Sequence, residues 1–266
     1  MRRLTALTLS IIMVFTLLTS CGAKKDPGTL YVGVDDSYPP MEYKNDKNVT
    51  VGFDVDLATE VAKRMNMKVS LISTAWDGIF QALKTDKFDC IISSVSMSAD
   101  RLPEYEFTKP YIANSQMIVV KPGDNSITKS SDLAGKKVGY QVATTADDSA
   151  KKIQEKGVKF ASSTEYDQVI QPFADMKAGR LDAIIVDEVV GRYYILQDPA
   201  NFKEAAAKLT NEPIGVCIKK GNTALQAKIQ TVLDAMLADG TMKTLSMKWF
   251  NKDLVSNIDT VLKEVE

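Results

Sequence analysis

Three polar groups in this chain can assemble a receptor for a carboxylate. Ser93-Ser94-Val95-Ser96 follows the apolar run Phe88-Asp89-Cys90-Ile91-Ile92, Arg101 comes five residues after Ser96, and Thr144-Thr145 opens a stretch of helical composition. A planar guanidinium grips a carboxylate through two parallel hydrogen bonds, and a helix start offers backbone N–H groups to the same anion. Asp187 closes another apolar run, Leu181-Asp182-Ala183-Ile184-Ile185-Val186, where a carboxylate can hold a cation facing Arg101. Opposed anion and cation sites suit a zwitterion. The competing roles are a helix N-cap for Asp187 and a surface ion pair for Arg101. Tyr38 and Trp76 are either core aromatics or plates around a ligand side chain. Asp35 and Asp36 follow the first apolar run, at the strand end where open α/β sheets place ligands, but adjacent residues point apart and one alone faces a cleft.

Other chemistry is excluded by what is missing. None of the 266 residues is histidine, which removes serine–histidine and cysteine–histidine nucleophiles, histidine zinc sites and imidazole bases together. Cys21, Cys90 and Cys217 are too few and too widely spaced for a cysteine-only zinc site or a disulfide scaffold. Ser126-Ile127-Thr128-Lys129 matches a serine–x–x–lysine nucleophile pattern, but it lies in a polar turn region and has no lysine–threonine–glycine partner. Gly135-Lys136-Lys137 lacks the upstream glycine and the Ser or Thr of a phosphate loop. No metal or cofactor is expected. With 33 basic against 34 acidic residues there is no cationic excess to meet a phosphate backbone, so nucleic acid is not an expected partner.

The elements that must position these groups alternate. Leu30–Val34 reads as a buried strand, and Phe53, Leu57, Val61 and Met65 recur every four residues on one helix face. Val69–Ile72, a helix through Ile79, Phe80 and Leu83, and a strand over 88–92 follow, which predicts a parallel sheet covered on both faces. The alternation restarts with a strand over 137–140, a helix over 145–156, a short strand at Val158–Phe160, a helix through Val169, Phe173 and Met176, and a strand over 181–186. Gln116–Val120 and Ile214–Ile218 flank this second unit and read as strands that leave and re-enter a discontinuous first lobe. Helices over 222–238 and 241–250 pack back onto it, and 251–266 is a further amphipathic segment. Residues 29–115 are thus expected to form lobe 1, 116–214 lobe 2, and 215–266 the return to lobe 1.

The N-terminus stands apart. Met1-Arg2-Arg3 and an apolar centre, shorter than the roughly 20 residues of a spanning helix, describe a secretory signal peptide over 1–20. Leu18-Thr19-Ser20-Cys21 resembles a bacterial lipobox, which implies lipidation of Cys21 and a polar linker over 21–28.

At these residues the chain resembles the polar amino-acid solute-binding proteins of ABC importers. The resemblance covers about Leu30 to Phe250 and rests on the order and spacing of several motifs. These are Gly33-Val34-Asp35-Asp36-Ser37-Tyr38-Pro39-Pro40, Val51-Gly52-Phe53-Asp54-Val55-Asp56-Leu57, Trp76-Asp77-Gly78, the run from Phe88 to Ser93, Asp187-Glu188 and Lys248-Trp249-Phe250. It implies an α/β fold of the two-lobed type II periplasmic binding (Venus flytrap) class, with two crossover strands. Arg101, helped by the amides of Ser94 and Thr145, would take a ligand α-carboxylate. Asp187, the Ser96 hydroxyl and the Ser93 carbonyl would take the α-ammonium, and Tyr38 and Trp76 would bracket the side chain. Asp35, Glu42 and Asp54 lie where members that bind basic amino acids place acidic residues, although Asp54 also has a structural reading.

The sequence departs from the family at Met41, where phenylalanine is usual, and at Ala143 and Ala146 around the threonines. It departs also at Cys90 and Cys217, for which two buried thiols are favoured over a disulfide, spacing alone not settling the pairing. The resemblance implies a monomeric, lipid-tethered extracytoplasmic receptor that closes over a free L-amino acid and presents it to permease subunits. Arginine, lysine or histidine is favoured over glutamine or cystine. The alternatives are an enzyme on the same scaffold, such as a cyclohexadienyl dehydratase with Asp35 and Glu42 as its acid–base set, or a sensor domain.

Overall fold

The computed structural model describes residues 25–258. The chain opens with β1 (Thr29–Val34), a small antiparallel clip of β2 (Ser37–Tyr38), β3 (Glu42–Lys44) and β4 (Thr50–Val51), then α1 (Phe53–Arg64), β5 (Lys68–Ser73), α2 (Trp76–Lys84), β6 (Cys90–Ile91) and β7 (Tyr105–Phe107). The middle of the chain holds β8 (Ile112–Val120), β9 (Lys137–Gln141), α3 (Thr145–Glu155), β10 (Ser162–Tyr166), α4 (Ile170–Lys177), β11 (Ala183–Asp187), α5 (Glu188–Gln197) and β12 (Lys203–Ile214). It closes with β13 (Cys217–Lys219), α6 (Thr223–Ala238) and α7 (Thr241–Phe250).

Two five-stranded sheets make two lobes. The first has the order β5-β1-β6-β13-β7 and the second β10-β9-β11-β8-β12. In the first, β1 is parallel to β5 and β6, as the strand–helix alternation predicts. Phe53, Leu57 and Val61 on α1 are fully buried, which confirms the four-residue stripe, and each such side chain contributes about 1.5–3 kcal/mol of burial. Strand β13 slots antiparallel between β6 and β7, so the first sheet draws strands from both sides of the second lobe.

Gly33 marks how tightly the first sheet meets its cover. A Cβ built there would stand 2.4 Å from the Phe88 ring, a contact that one of the two must yield. Gly33→Ala is therefore expected to cost about 1–3 kcal/mol in urea unfolding, the usual range for overpacking.

The lobes are joined by β8 and β12, which pair antiparallel with each other from Ile112 and Ile214 at one end to Val120 and Lys203 at the other. Here the structure corrects two expectations and adds a strand that the sequence pattern does not announce. The run Ile214–Ile218 is not one strand: β12 ends at Ile214 and β13 begins at Cys217. Gly215 lies between them, where a Cβ would meet the Met97 sulfur at 2.9 Å. Strand β12 itself escapes the periodic pattern, because Lys203-Glu204-Ala205-Ala206-Ala207 has the composition of a helix and its pairing with β8 carries register shifts at Lys208. The strand expected at Val158–Phe160 lies instead at Ser162–Tyr166. Gly157, at φ 92°, ends α3, and Val158 and Phe160 pack on the lobe 2 core while the polar stretch behind them pairs as an edge with β9.

Cys90 and Cys217 are both buried and free. Cys90 is in register with Ile218 and Cys217 with Ile91, so the two thiols stand one residue out of step and face opposite sides of the sheet. Residues 1–24, which include the expected signal peptide and Cys21, lie outside the described residues, as do 259–266. Of the C-terminal segment, Val255 is buried, and the Ser246 hydroxyl donates to the Lys252 carbonyl at 2.6 Å. No helix among the described residues is long and apolar enough to cross a membrane.

Candidate functional site: a cavity between the lobes

Parallel strands of both sheets end facing the gap between the lobes, the usual place for a ligand in open α/β sheets. β1 delivers Asp35 and β6 leads into Ser93 and Ser94; on the other side β9 ends at Gln141 and β11 at Asp187. Helix α3 begins at the same gap. Its N-cap, Thr144, accepts a hydrogen bond from the Asp147 amide at 3.4 Å, so the Thr145 amide lies in the first turn, where no intrahelical partner exists.

Between the lobes these groups line a cavity with about 290 Å³ of empty space. Tyr38, Glu42, Trp76 and Arg101 line it from the first lobe, and Gln141, Thr145 and Asp187 from the second. The lobes are closed on it. The Trp76 indole N–H donates to the Ala143 carbonyl at 2.8 Å, and the Gln141 amide donates to Asp35 Oδ2 at 3.0 Å. Tyr38 bonds to Asp187 across the same gap.

The charges at the two walls are opposed. Arg101 donates to the Ser96 carbonyl at 3.2 Å, and its guanidinium carbon lies 4.8 Å from the centre of the Phe80 ring and 5.4 Å from that of Trp76. Burial lowers its pKa from the ordinary value, yet an arginine remains cationic in any physiological range. Across the cavity, burial and the neighbouring Glu212 carboxylate raise Asp187 to about 7, against the lowering effect of bonds from Tyr38 and Gln116. Glu212 collects donors from both lobes: the Ser96 hydroxyl at 2.8 Å, the Thr145 hydroxyl at 2.7 Å and the Gln116 amide at 3.1 Å. The arrangement can hold one anion and one cation at opposite walls and desolvate both. Among the described residues no group of three or more His, Cys, Asp or Glu gathers to hold a metal.

A model of the bacterial extracellular solute-binding proteins, family 3, matches residues 30–252. The chain belongs to that family. This solute-binding protein is 31 % identical to the L-cystine-binding protein of Escherichia coli (strain K12) over 231 residues, covering 86 % of this chain and 85 % of that one. It is 33 % identical to the histidine-binding periplasmic protein of Salmonella typhimurium, covering 94 % and 97 %. Among solved structures it resembles an ancestral arginine-binding protein bound to arginine, with a TM-score of 0.79 and 36 % identity over 84 % of this chain and 98 % of that one.

Within the solute-binding protein, the expected site residues divide into two sets. Tyr38, Trp76, Ser93, Ser94, Ser96, Arg101, Thr145 and Asp187 all line the cavity, and so does Glu42. Asp35 and Asp54 do not line it. Asp35 stands behind Gln141, taking hydrogen bonds from it and from Ser37, and Asp54 is buried in the first turn of α1. Two expected contacts are spent within the protein. The Ser94 amide donates to Asp54 Oδ2 at 2.7 Å, which removes it as a donor to a ligand carboxylate, because Ser94 sits at φ 50° and turns its N–H towards α1. The Ser96 hydroxyl donates to Glu212, so it meets an ammonium only as an acceptor. Met41 is fully buried in the core and does not shape the cavity.

Sequence reasoning missed Gln116, Gln141 and Glu212. Gln141 is the last residue of a predicted strand and was within reach of the rule that places ligands at strand ends. Gln116 and Glu212 come from the two connecting strands, where no local pattern marks a functional side chain.

Proposed function

We propose that this protein is an extracytoplasmic receptor that binds one free L-amino acid and presents it, enclosed, to the permease of an ABC importer. The observation that carries the reading is the pairing of Arg101 on one lobe with Asp187 on the other across a single closed cavity. Arg101 with the Thr145 amide takes the α-carboxylate, and Asp187 takes the α-ammonium. Ligand contacts to both lobes favour the closed form by their difference in affinity for the two forms. The lipobox-like Leu18-Thr19-Ser20-Cys21 supports tethering through a lipid on Cys21.

The charge balance favours a cationic side chain. Among the described residues Arg101 is the one cationic residue lining the cavity, against Asp187 in its wall and Glu212 and Asp35 directly behind it. Gln141 supports the same choice. Both of its amide hydrogens are taken, by Asp35 Oδ2 and by the Asp167 carbonyl at 3.1 Å, so the amide can offer a ligand only its oxygen. A guanidinium or ammonium side chain supplies the donors that such a wall lacks. The relatives named for histidine, cystine and arginine agree with an amino-acid cargo and against an enzyme.

The test is calorimetric titration of protein stripped of retained ligand by unfolding and refolding, against each common L-amino acid and L-cystine. Arginine, lysine or histidine is expected to bind with micromolar or tighter affinity, about −8 kcal/mol or better. Tight binding of glutamine or cystine alone would replace the cargo and leave the receptor. Binding of no amino acid would overturn both.

A further inference from the structure

The cavity floor rests on two carboxyl groups that the ligand reading leaves unused. Glu42 on β3 and Asp54 in the first turn of α1 are both fully buried. Each has one oxygen served by the turn after β6: the Ser93 hydroxyl donates to Glu42 Oε1 and the Ser94 amide to Asp54 Oδ2, both at 2.7 Å. The remaining oxygens, Glu42 Oε2 and Asp54 Oδ1, have no hydrogen-bond partner, and the Tyr111 hydroxyl, equally unpaired, lies beside Asp54 as the neutral donor at hand. The two groups lie within hydrogen-bonding reach of each other. Two ionised carboxylates in that position would each be buried with a bare oxygen beside a like charge.

We infer that Glu42 and Asp54 hold one proton between them at neutral pH, with Glu42 as the acid, and that this shared proton fixes the Ser93–Ser94 turn against α1. One proton between the two bare oxygens satisfies both and leaves the pair with a single negative charge. The titratable groups that face it are Asp35 at the end of β1, Tyr38 on β2 and Tyr111 ahead of β8, and none of these is cationic. Burial and the Asp54 carboxylate push Glu42 well above the usual carboxylate range, and burial raises Asp54 to about 6. The turn needs such a fastening. Ser94 holds the left-handed φ of 50°, and the segment that follows it carries Ser96 and Arg101 to the cavity.

Glu42 is thus a positioning residue that acts through the turn, and its proton makes the fastening depend on pH. A folded-state pKa raised above the unfolded value gives stability that is whole below the unfolded carboxyl range and is lost as the pH rises through the folded value.

The test uses the full chain without ligand, so its outcome is separate from that of the cargo reading. Glu42→Gln keeps an acceptor for Ser93 and a donor for Asp54 but has nothing to titrate. Between about pH 6 and about pH 9 the thermal midpoint of the wild type is expected to fall by several degrees relative to Glu42→Gln. Asp187 titrates in both proteins and cancels from the difference. Parallel midpoints across that range would overturn the inference. Infrared spectroscopy gives a reading that does not depend on the variant folding. At about pH 8, where Asp187 is ionised, the wild type is expected to show the carbonyl stretch of a protonated carboxyl group, and its absence would overturn the inference equally.

Discussion

Arg101→Ala is expected to weaken binding of the cognate amino acid by about 3–5 kcal/mol, between two and four powers of ten in dissociation constant. The size follows from what remains after the substitution. A ligand carboxylate would still be drawn out of water when the lobes close, with the Thr145 amide as its partner and no counter-charge. Arg101→Lys is not expected to restore affinity, because an ammonium has neither the fork that takes both carboxylate oxygens nor the flat face that rests 4.8 Å from the Phe80 ring centre. Calorimetry on both variants checks this. Affinity within about threefold of wild type for Arg101→Ala would mean that the carboxylate is held elsewhere.

Affinity should also fall as the solution is acidified, by up to about tenfold for each pH unit below about 7. Asp187, raised to about 7 by burial and by Glu212, holds a proton in the empty site below that value. An α-ammonium must displace that proton, so binding releases it to the buffer, and the heat measured in buffers of different ionisation enthalpy counts it. The effect on stability runs in the opposite sense. With a folded pKa above its unfolded value, Asp187 gives the empty protein a contribution that is intact below the unfolded carboxylate range and is lost as the pH rises through about 7. The bound ammonium takes the proton's place, so the ligand-bound protein should not show this loss. Asp187→Asn is expected to bind weakly and without the acid limb; an unchanged limb in that variant would assign the proton to another group.

Much of this arrangement is legible before any coordinates are known, for a physical reason. The stripe Phe53, Leu57, Val61 and the β-branched run into Asp187 are local consequences of burying one face or both, and period alone reveals them. Arg101, Thr145 and Asp187 stand out because they sit where such elements stop. What resists reading is set at a distance. β12 takes its conformation from β8, nearly a hundred residues earlier at Asn114↔Glu212, against its own alanine-rich composition. Beyond its strand neighbour Thr210, Glu212 draws its role from three donors on three distant segments. Asp54 shows the converse case, an acidic residue near the site for which sequence left two roles open and which is spent on holding the Ser94 amide.

The placement of β13 between β6 and β7 bears on how the chain comes to be folded at all. Lobe 2 is drawn from one unbroken stretch and has all its strands once β12 has been made. The first sheet, by contrast, lacks a central strand until Cys217–Lys219 arrives, some 180 residues after β1. Until then β6 and β7 expose unpaired edges, and closing so long a loop is slow because its entropy is lost before its contacts repay it. The order of assembly should therefore be reversed relative to the order of synthesis, with the later-made lobe complete first and the N-terminal one waiting on the end of the chain.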